Sequence, residues 1–293
     1  MLGQALITFR EVLEAALIVA ITLAYLSRTG RAGMTRHLWT GVWLAVGASL
    51  AAGVVVGLIY GQLDEEALTL FEGVSALVAV VLLTSMILWM ALKGPSMQEE
   101  VRTQVERATL KGAAVGLVAF AFVVVFREGL ETVLFLTPFA GGEPAGTVVG
   151  AIVGVSASLV ISYMMFKVGV RVDLKKFFYV TSVLLVLVAA GLAGYGVHEL
   201  IEHQEEVGAS VGWFGSIAYD LGIPDNSLMG NHGVIGSILA VMFGYSVKME
   251  WGRVLVQLTY TSIFLPLTVL LYKRPELFAR LTRLTARRGE TSG

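Results

Sequence analysis

Runs of twenty or more mostly apolar residues, broken by short charged or turn-rich stretches, dominate the chain. Such runs predict membrane-spanning helices, because about 20 apolar residues cross the ~30 Å hydrocarbon core of a bilayer. The breaks predict spans at about 2–27, 38–60, 66–92, 111–139, 145–167, 174–197 and 251–272. A further apolar stretch at 228–247 carries several glycines and is interrupted by Asn231 and His232. It is marginal in length for a crossing and reads as a candidate re-entrant segment, a form of irregular backbone that survives at membrane depth only where protein or a water-filled cavity covers it.

Composition supports this pattern. Of 293 residues, 56% are hydrophobic and 15% charged, against about 45–50% and about 25% in soluble proteins. The mean hydropathy of +0.77 agrees. A soluble enzyme, a disordered chain and a nucleic-acid-binding module are excluded, and membrane lipid is the expected surrounding. The chain has no cysteine, which excludes disulfides, thiolate metal sites, iron–sulfur ligation and covalently attached haem. Any metal must then be held by oxygen or imidazole. No cleavable signal is expected at the N-terminus, since a basic leader is lacking and Arg10, Glu11 and Glu14 interrupt the first apolar run.

The placement of Lys and Arg gives the topology. Seventeen of the 21 cations fall near 28–37, 93–111 and 167–176 and in the C-terminal tail, and these connections alternate with stretches at 61–65, 140–144 and 198–231 that hold none. The basic side is cytoplasmic by the positive-inside rule, so the N-terminus is expected outside the plasma membrane and the C-terminus inside. Termini on opposite sides need an odd number of crossings. The expected fold is therefore all-α and polytopic, with seven transmembrane helices and a re-entrant segment before the last. Lys248 and Arg253 are then outer cations, a mild cost to this topology. One permease domain should cover 1–272, with repeat one at about 1–92, repeat two at about 111–197 and an outer loop with the last span at about 198–272. Residues 273–293 form a basic cytoplasmic tail. Glycines at four-residue spacing (Gly53/Gly57/Gly61, Gly112/Gly116, Gly150/Gly154) are read as helix-packing positions.

Two segments carry the chemistry. The first span reads Phe9-Arg10-Glu11-Val12-Leu13-Glu14 and the fourth Phe126-Arg127-Glu128-Gly129-Leu130-Glu131. On a helix, the Arg and two Glu of each R-E-x-x-E motif fall within an arc of about 100°. Each charge at the bilayer centre costs about 2.5–3.5 kcal/mol on the lenient insertion scale, roughly 15–20 kcal/mol gross for six. Two structural ion pairs, Arg10 with Glu14 and Arg127 with Glu131, would leave Glu11 and Glu128 over. Four glutamates against two arginines suit a hard multivalent cation such as Fe³⁺, Mn²⁺ or Ca²⁺. The first span runs inward and the fourth outward, so units 1–3 and 4–6 form an inverted 3+3 repeat, an architecture with its ion site near the midplane in many transporters.

These motifs resemble the signature of the oxidase-dependent iron permeases, a family of fungal high-affinity and bacterial ferrous-iron uptake permeases. Phe71-Glu72-Gly73, Ile87-Leu88-Trp89-Met90 and Phe177-Phe178 are similar as well, and the likeness covers most of 1–272 except 198–250. The resemblance implies seven spans and a transporter rather than an enzyme. It implies iron as the transported substrate with no permanently bound cofactor, and Glu11, Glu14, Glu128 and Glu131 as its ligands. Arg10 and Arg127 would orient the carboxylates, and a separate ferroxidase or periplasmic iron-delivery protein would be the partner.

Secondary candidates lie toward the outer side. Glu72 reads either as a snorkelling carboxylate beside Asp64, Glu65 and Glu66 or as a ligand above the main site. In His198-Glu199-Leu200-Ile201-Glu202-His203 the histidines are five apart, not the four of a zinc-protease helix. Glu199 with His203 and His198 with Glu202 are four apart and could hold metal in a solvated acidic loop that concentrates cations. Met86 and Met90 are read as packing residues. Competing functions are a permease for manganese or lead and, in another class, an intramembrane carboxylate metal oxidase. No span supplies the Glu-x-x-His partners that such di-iron bundles use.

Overall fold

In the computed structural model, residues 1–93, 97–110, 113–140, 144–165, 173–224, 227–230 and 233–273 are described. The expected basic residues Lys111, Lys167, Arg171 and 274–293, together with Gly112, Asn231 and His232, lie outside them.

Each apolar run becomes a helix whose ends coincide with polar or turn residues. Helix α1 covers Leu2–Arg28, α2 Thr35–Tyr60, α3 Glu65–Lys93, α4 Met97–Leu110 and α5 Ala113–Leu136. The chain continues through α6 (Pro144–Tyr163), α7 (Leu174–Glu206), α8 (Val234–Phe243) and α9 (Trp251–Lys273). Asp64 accepts from the Ala67 amide at 3.0 Å at the start of α3, and Asp173 caps α7 by accepting from the Lys176 amide at 3.2 Å. Such caps satisfy amides the helix itself leaves free. Gly244, at φ 63° in the left-handed region, ends α8.

Among the described residues five helices, α2, α3, α6, α7 and α9, are long and apolar enough to cross a membrane. Helices α1 and α5, with 27 and 24 residues, have the length but carry the charged motifs. Helix α8 has 10 residues, about 15 Å, or half the hydrocarbon thickness. Its closing Gly244 lies against Gly191, near the middle of α7.

Two expectations need correction. Residues 198–206, expected in a solvated outer loop, continue α7, because Ile201 is buried and Leu200 lies against Gly73 of α3. The all-α expectation also lacked a two-stranded antiparallel ribbon, β1 (Ile217–Asp220) with β2 (Lys248–Glu250), just before α9. The basic connection expected at 93–111 contains α4.

The helices pair in a definite pattern. Helix α1 packs chiefly on α6 and then α5, α2 on α5, α3 on α7, and α7 also on α9. Small residues make the close crossings. A Cβ at Gly196 of α7 would sit 3.0 Å from the Gly73 carbonyl oxygen of α3. Of the glycines singled out by spacing, Gly150 and Gly154 face α1 closely, Gly116 faces Ala108, and Gly57 has no neighbour within 4 Å of its Cβ position.

Candidate functional site

Helices α1 and α5 touch where the two motifs lie. Glu11, Glu128 and Glu131 each contribute a carboxylate oxygen to a set whose members lie within 4.8 Å of one another. Glu14 is not in that set. Its Oε2 stands 3.9 Å from Arg10 Nη2, and the residue lies within electrostatic range of Arg127 and Glu131. The structure thus brings three of the four expected ligands together and places the fourth beside them.

The two arginines differ sharply in setting. Arg10 is fully buried, pairs with Glu11 at 3.2 Å and donates from Nη1 to the Met86 sulfur of α3 at 2.9 Å. The Arg127 side chain is 52% exposed, and its Nε pairs with Glu131 at 2.7 Å and Glu128 at 4.0 Å. Its guanidinium carbon lies 5.7 Å from the centre of the Trp89 ring, also on α3, within cation–π range. One turn of α3 therefore seats both arginines. The sequence pattern marks Met86 as a packing residue and Trp89 as part of a family-like segment, and the structure gives each an arginine partner. A sulfur and an indole three residues apart on one helix were the available signal, but nothing in the pattern named their partners.

Glu11 Oε2 and Glu14 Oε2 are buried without a hydrogen-bond partner. Uncommitted carboxylate oxygens at membrane depth are expensive, and a cation is the partner that would use them. Four carboxylates against two guanidiniums would leave a net charge of −2 if all were ionised, a set that would suit a cation with oxygen ligands alone.

A second cluster lies at the far end of α3 and α7. His198, Glu199 and Glu202 offer ligand atoms within 4.8 Å of one another, and His198 Nε2 stands 3.8 Å from Glu202. Glu72 is buried rather than snorkelling, and the Tyr195 hydroxyl donates to its carboxylate. His203 is not part of the cluster: its Nδ1 lies 3.1 Å from the Glu66 carbonyl oxygen. Glu250, 3.3 Å from His198 Nδ1, belongs to the cluster but lies far off in sequence. Arg253, expected as an outer cation, lies within electrostatic range of Glu250 and Glu199.

Long apolar helices packed around carboxylates from two helices and a buried guanidinium are the features of a multi-pass membrane transporter. The chain belongs to the iron permease FTR1 family, whose model matches residues 1–270. That family comprises transporters, not enzymes. The chain is 46% identical over 267 residues to an uncharacterized protein of Archaeoglobus fulgidus, covering 91% of this chain and 94% of that one. It is 34% identical over 288 residues to the ferrous iron permease EfeU of Yersinia pestis, covering 97% of each. The ferrous iron permease EfeU of an Escherichia coli O6:H1 strain is 33% identical over 260 residues, covering 87% of this chain and 90% of the relative. No solved structure matches.

Proposed function

We propose that the chain carries iron inward across the cytoplasmic membrane, with Glu11, Glu14, Glu128 and Glu131 as the ligands of the passing ion. The observation that carries this reading is the meeting of Glu11, from one helix, with Glu128 and Glu131, from another, within 4.8 Å. Carboxylates from two elements can hand over an ion when those elements shift, whereas two ion pairs on separate helices would have no reason to meet. Hard carboxylate oxygens without sulfur or imidazole favour ferric over ferrous iron. The relatives are named for ferrous iron, and a separate ferroxidase or periplasmic partner that oxidises Fe²⁺ reconciles the two.

Seven spans follow if α1 and α5 cross with the five apolar helices, and α8 then enters and returns. The pairing of α1 with α6 and of α2 with α5 is what an inverted repeat of α1–α3 and α5–α7 requires, since exchanging the halves turns one pair into the other. The cation-rich connections support an N-terminus outside and a C-terminus in the cytoplasm.

Radiolabelled iron uptake into proteoliposomes tests the site. Each of Glu11→Ala, Glu14→Ala, Glu128→Ala and Glu131→Ala should lower uptake by about tenfold or more, the effect of some 1.4 kcal/mol. Undiminished iron uptake in all four variants would sink the assignment. Ferric citrate should support faster transport than iron held reduced by ascorbate, and excess Mn²⁺ should compete poorly. His198, Glu199 and Glu202, with Glu72 behind them, read as an outer cluster that captures the cation first. His198→Ala should then raise the iron concentration for half-maximal uptake several-fold, by roughly one lost ligand's ~1 kcal/mol, with the maximal rate unchanged. A fall in the maximal rate alone would remove the capture role.

A further inference from the structure

Two helix seams join the halves of this bundle, and their small residues match while the residues facing them do not. Gly41, Ala45 and Ser49 recur at four-residue spacing in α2, as Gly150, Gly154 and Ser158 do in α6. Counted back from the motif arginines, Ala121 and Val125 of α5 hold the places that Gln4 and Thr8 hold on α1. A Cβ at Gly41 would meet the Ala121 Cβ at 2.8 Å, and one at Gly150 or Gly154 would meet the Cβ of Gln4 or Thr8 at 2.9 Å.

The α2–α5 seam is apolar. Ala121 and Val125 are buried, and Ser49 donates to the carbonyl of Ala45 at 2.9 Å. The α1–α6 seam is not. Gln4 and Thr8 are 2% exposed and Ser158 is 0% exposed, yet Gln4 Oε1, Thr8 Oγ1 and Ser158 Oγ have no hydrogen-bond partner. Thr22 of α1, Thr132 of α5 and Thr137 just beyond α5 each avoid that cost by donating to the carbonyl one turn back at 2.8 Å, while Ser162 of α6 shares it. Close helix contact in lipid needs only small residues, as the α2–α5 seam shows, so packing does not call for an amide and two idle hydroxyls. Gln4, Thr8 and Glu11 lie within an arc of about 60° on α1, and Gln4 stands about 10 Å along the axis from Glu11. The three residues thus share one face of α1 that ends at Glu11, whose Oε2 is likewise without a partner.

We propose that the α1–α6 seam, closed in this structure, parts to become the outer access path to the carboxylate site. Gln4 and Thr8 supply neutral oxygen ligands that replace water on a hard cation before Glu11 receives it, as carbonyl and hydroxyl oxygens do along other ion paths. This rests on the orientation and the glutamate site given above.

The absence of cysteine permits a direct test on the full chain in cells, with single-cysteine variants and a cationic, membrane-impermeant methanethiosulfonate added outside. Thr8→Cys should react at least about tenfold faster than Ile152→Cys on the outward face of α6, a gap of some 1.4 kcal/mol in barrier, and iron should slow it. Val125→Cys should stay unmodified. Equal, slow reaction of Thr8→Cys and Ile152→Cys would overturn the path. Adding Glu11→Ala to Thr8→Cys should abolish uptake but keep the labelling, so the path and the ligand site can fail separately. In uptake itself, Thr8→Val should lower efficiency about five- to tenfold at normal membrane abundance, the value of one hydrogen bond or ligand contact, and Thr8→Ser should restore it. Normal uptake by Thr8→Val would also overturn the proposal.

Discussion

Replacing Arg10 with leucine should remove most of the protein from the membrane fraction, whereas Arg127→Leu should leave its abundance intact and stop transport. Arg10 has no exposed surface and is the cation nearest Glu11 and Glu14, at 3.2 and 3.9 Å. Removing it strands two carboxylates that are themselves buried. Breaking a buried pair by removing one partner costs about 3–5 kcal/mol, a large part of the ~5–15 kcal/mol that holds a typical fold together. The Met86 sulfur also loses its donor. Arg127 is half exposed, and removing a charge from an apolar span also relieves an insertion cost of about 2.5–3.5 kcal/mol. Its loss should therefore spare folding while leaving Glu128 and Glu131 without their paired charge, which the proposed transport function needs to limit their repulsion. Fluorescence-detected size exclusion gives the abundance of each variant, and iron uptake per folded molecule gives the transport. Arg10→Lys should recover part of the abundance, since it restores the charge without the planar fork. Equal abundance of Arg10→Leu and Arg127→Leu would show that burial does not distinguish the two arginines.

The difference between these arginines also marks how far the sequence could be read. The apolar runs and both R-E-x-x-E motifs were legible because hydrophobic length and helical spacing are local properties. Charges inside an apolar run stand out without knowledge of any neighbour. Burial and partners are not local. Nothing around residue 10 says that it meets Met86, or that Arg127 meets Trp89, because each contact joins segments far apart in the chain. The same limit explains the extension of α7. His198, Glu199 and Glu202 make 198–206 look solvated, and the burial of Ile201 with the contact of Leu200 on Gly73 of α3 shows why that turn stays helical. Glu250 and Arg253 joined the outer cluster for a similar reason: they lie beside α7 in space but follow it by more than forty residues. Four-residue glycine spacing was legible as packing, yet it treated Gly57 and Gly154 alike, and the structure separates them.

That separation predicts the second large effect. Gly41→Leu and Gly154→Leu should each destroy the folded protein, and Gly57→Leu should be tolerated. At Gly154 a Cβ would meet the carbonyl oxygen of Ala5, the Phe9 amide nitrogen at 2.8 Å and the Thr8 Cβ at 2.9 Å. At Gly41 it would meet the Val118 carbonyl oxygen, the Ala121 Cβ at 2.8 Å and the Phe122 amide nitrogen at 3.1 Å. These are mostly backbone atoms of a facing helix, which cannot swing aside as a side-chain tip can. The helices must part along the whole seam, and overpacking of this kind costs about 1–3 kcal/mol or more before the rest of the leucine is placed. Nothing lies within 4 Å of the Cβ position at Gly57, so leucine there only adds surface on an outward face. Thermal melting of detergent-solubilised protein measures all three. Two comparable losses at Gly41 and Gly154 would support equivalent seams in the two halves of an inverted repeat. A tolerated Gly41→Leu beside a destructive Gly154→Leu would instead mean that the halves share a motif but not a packing scheme.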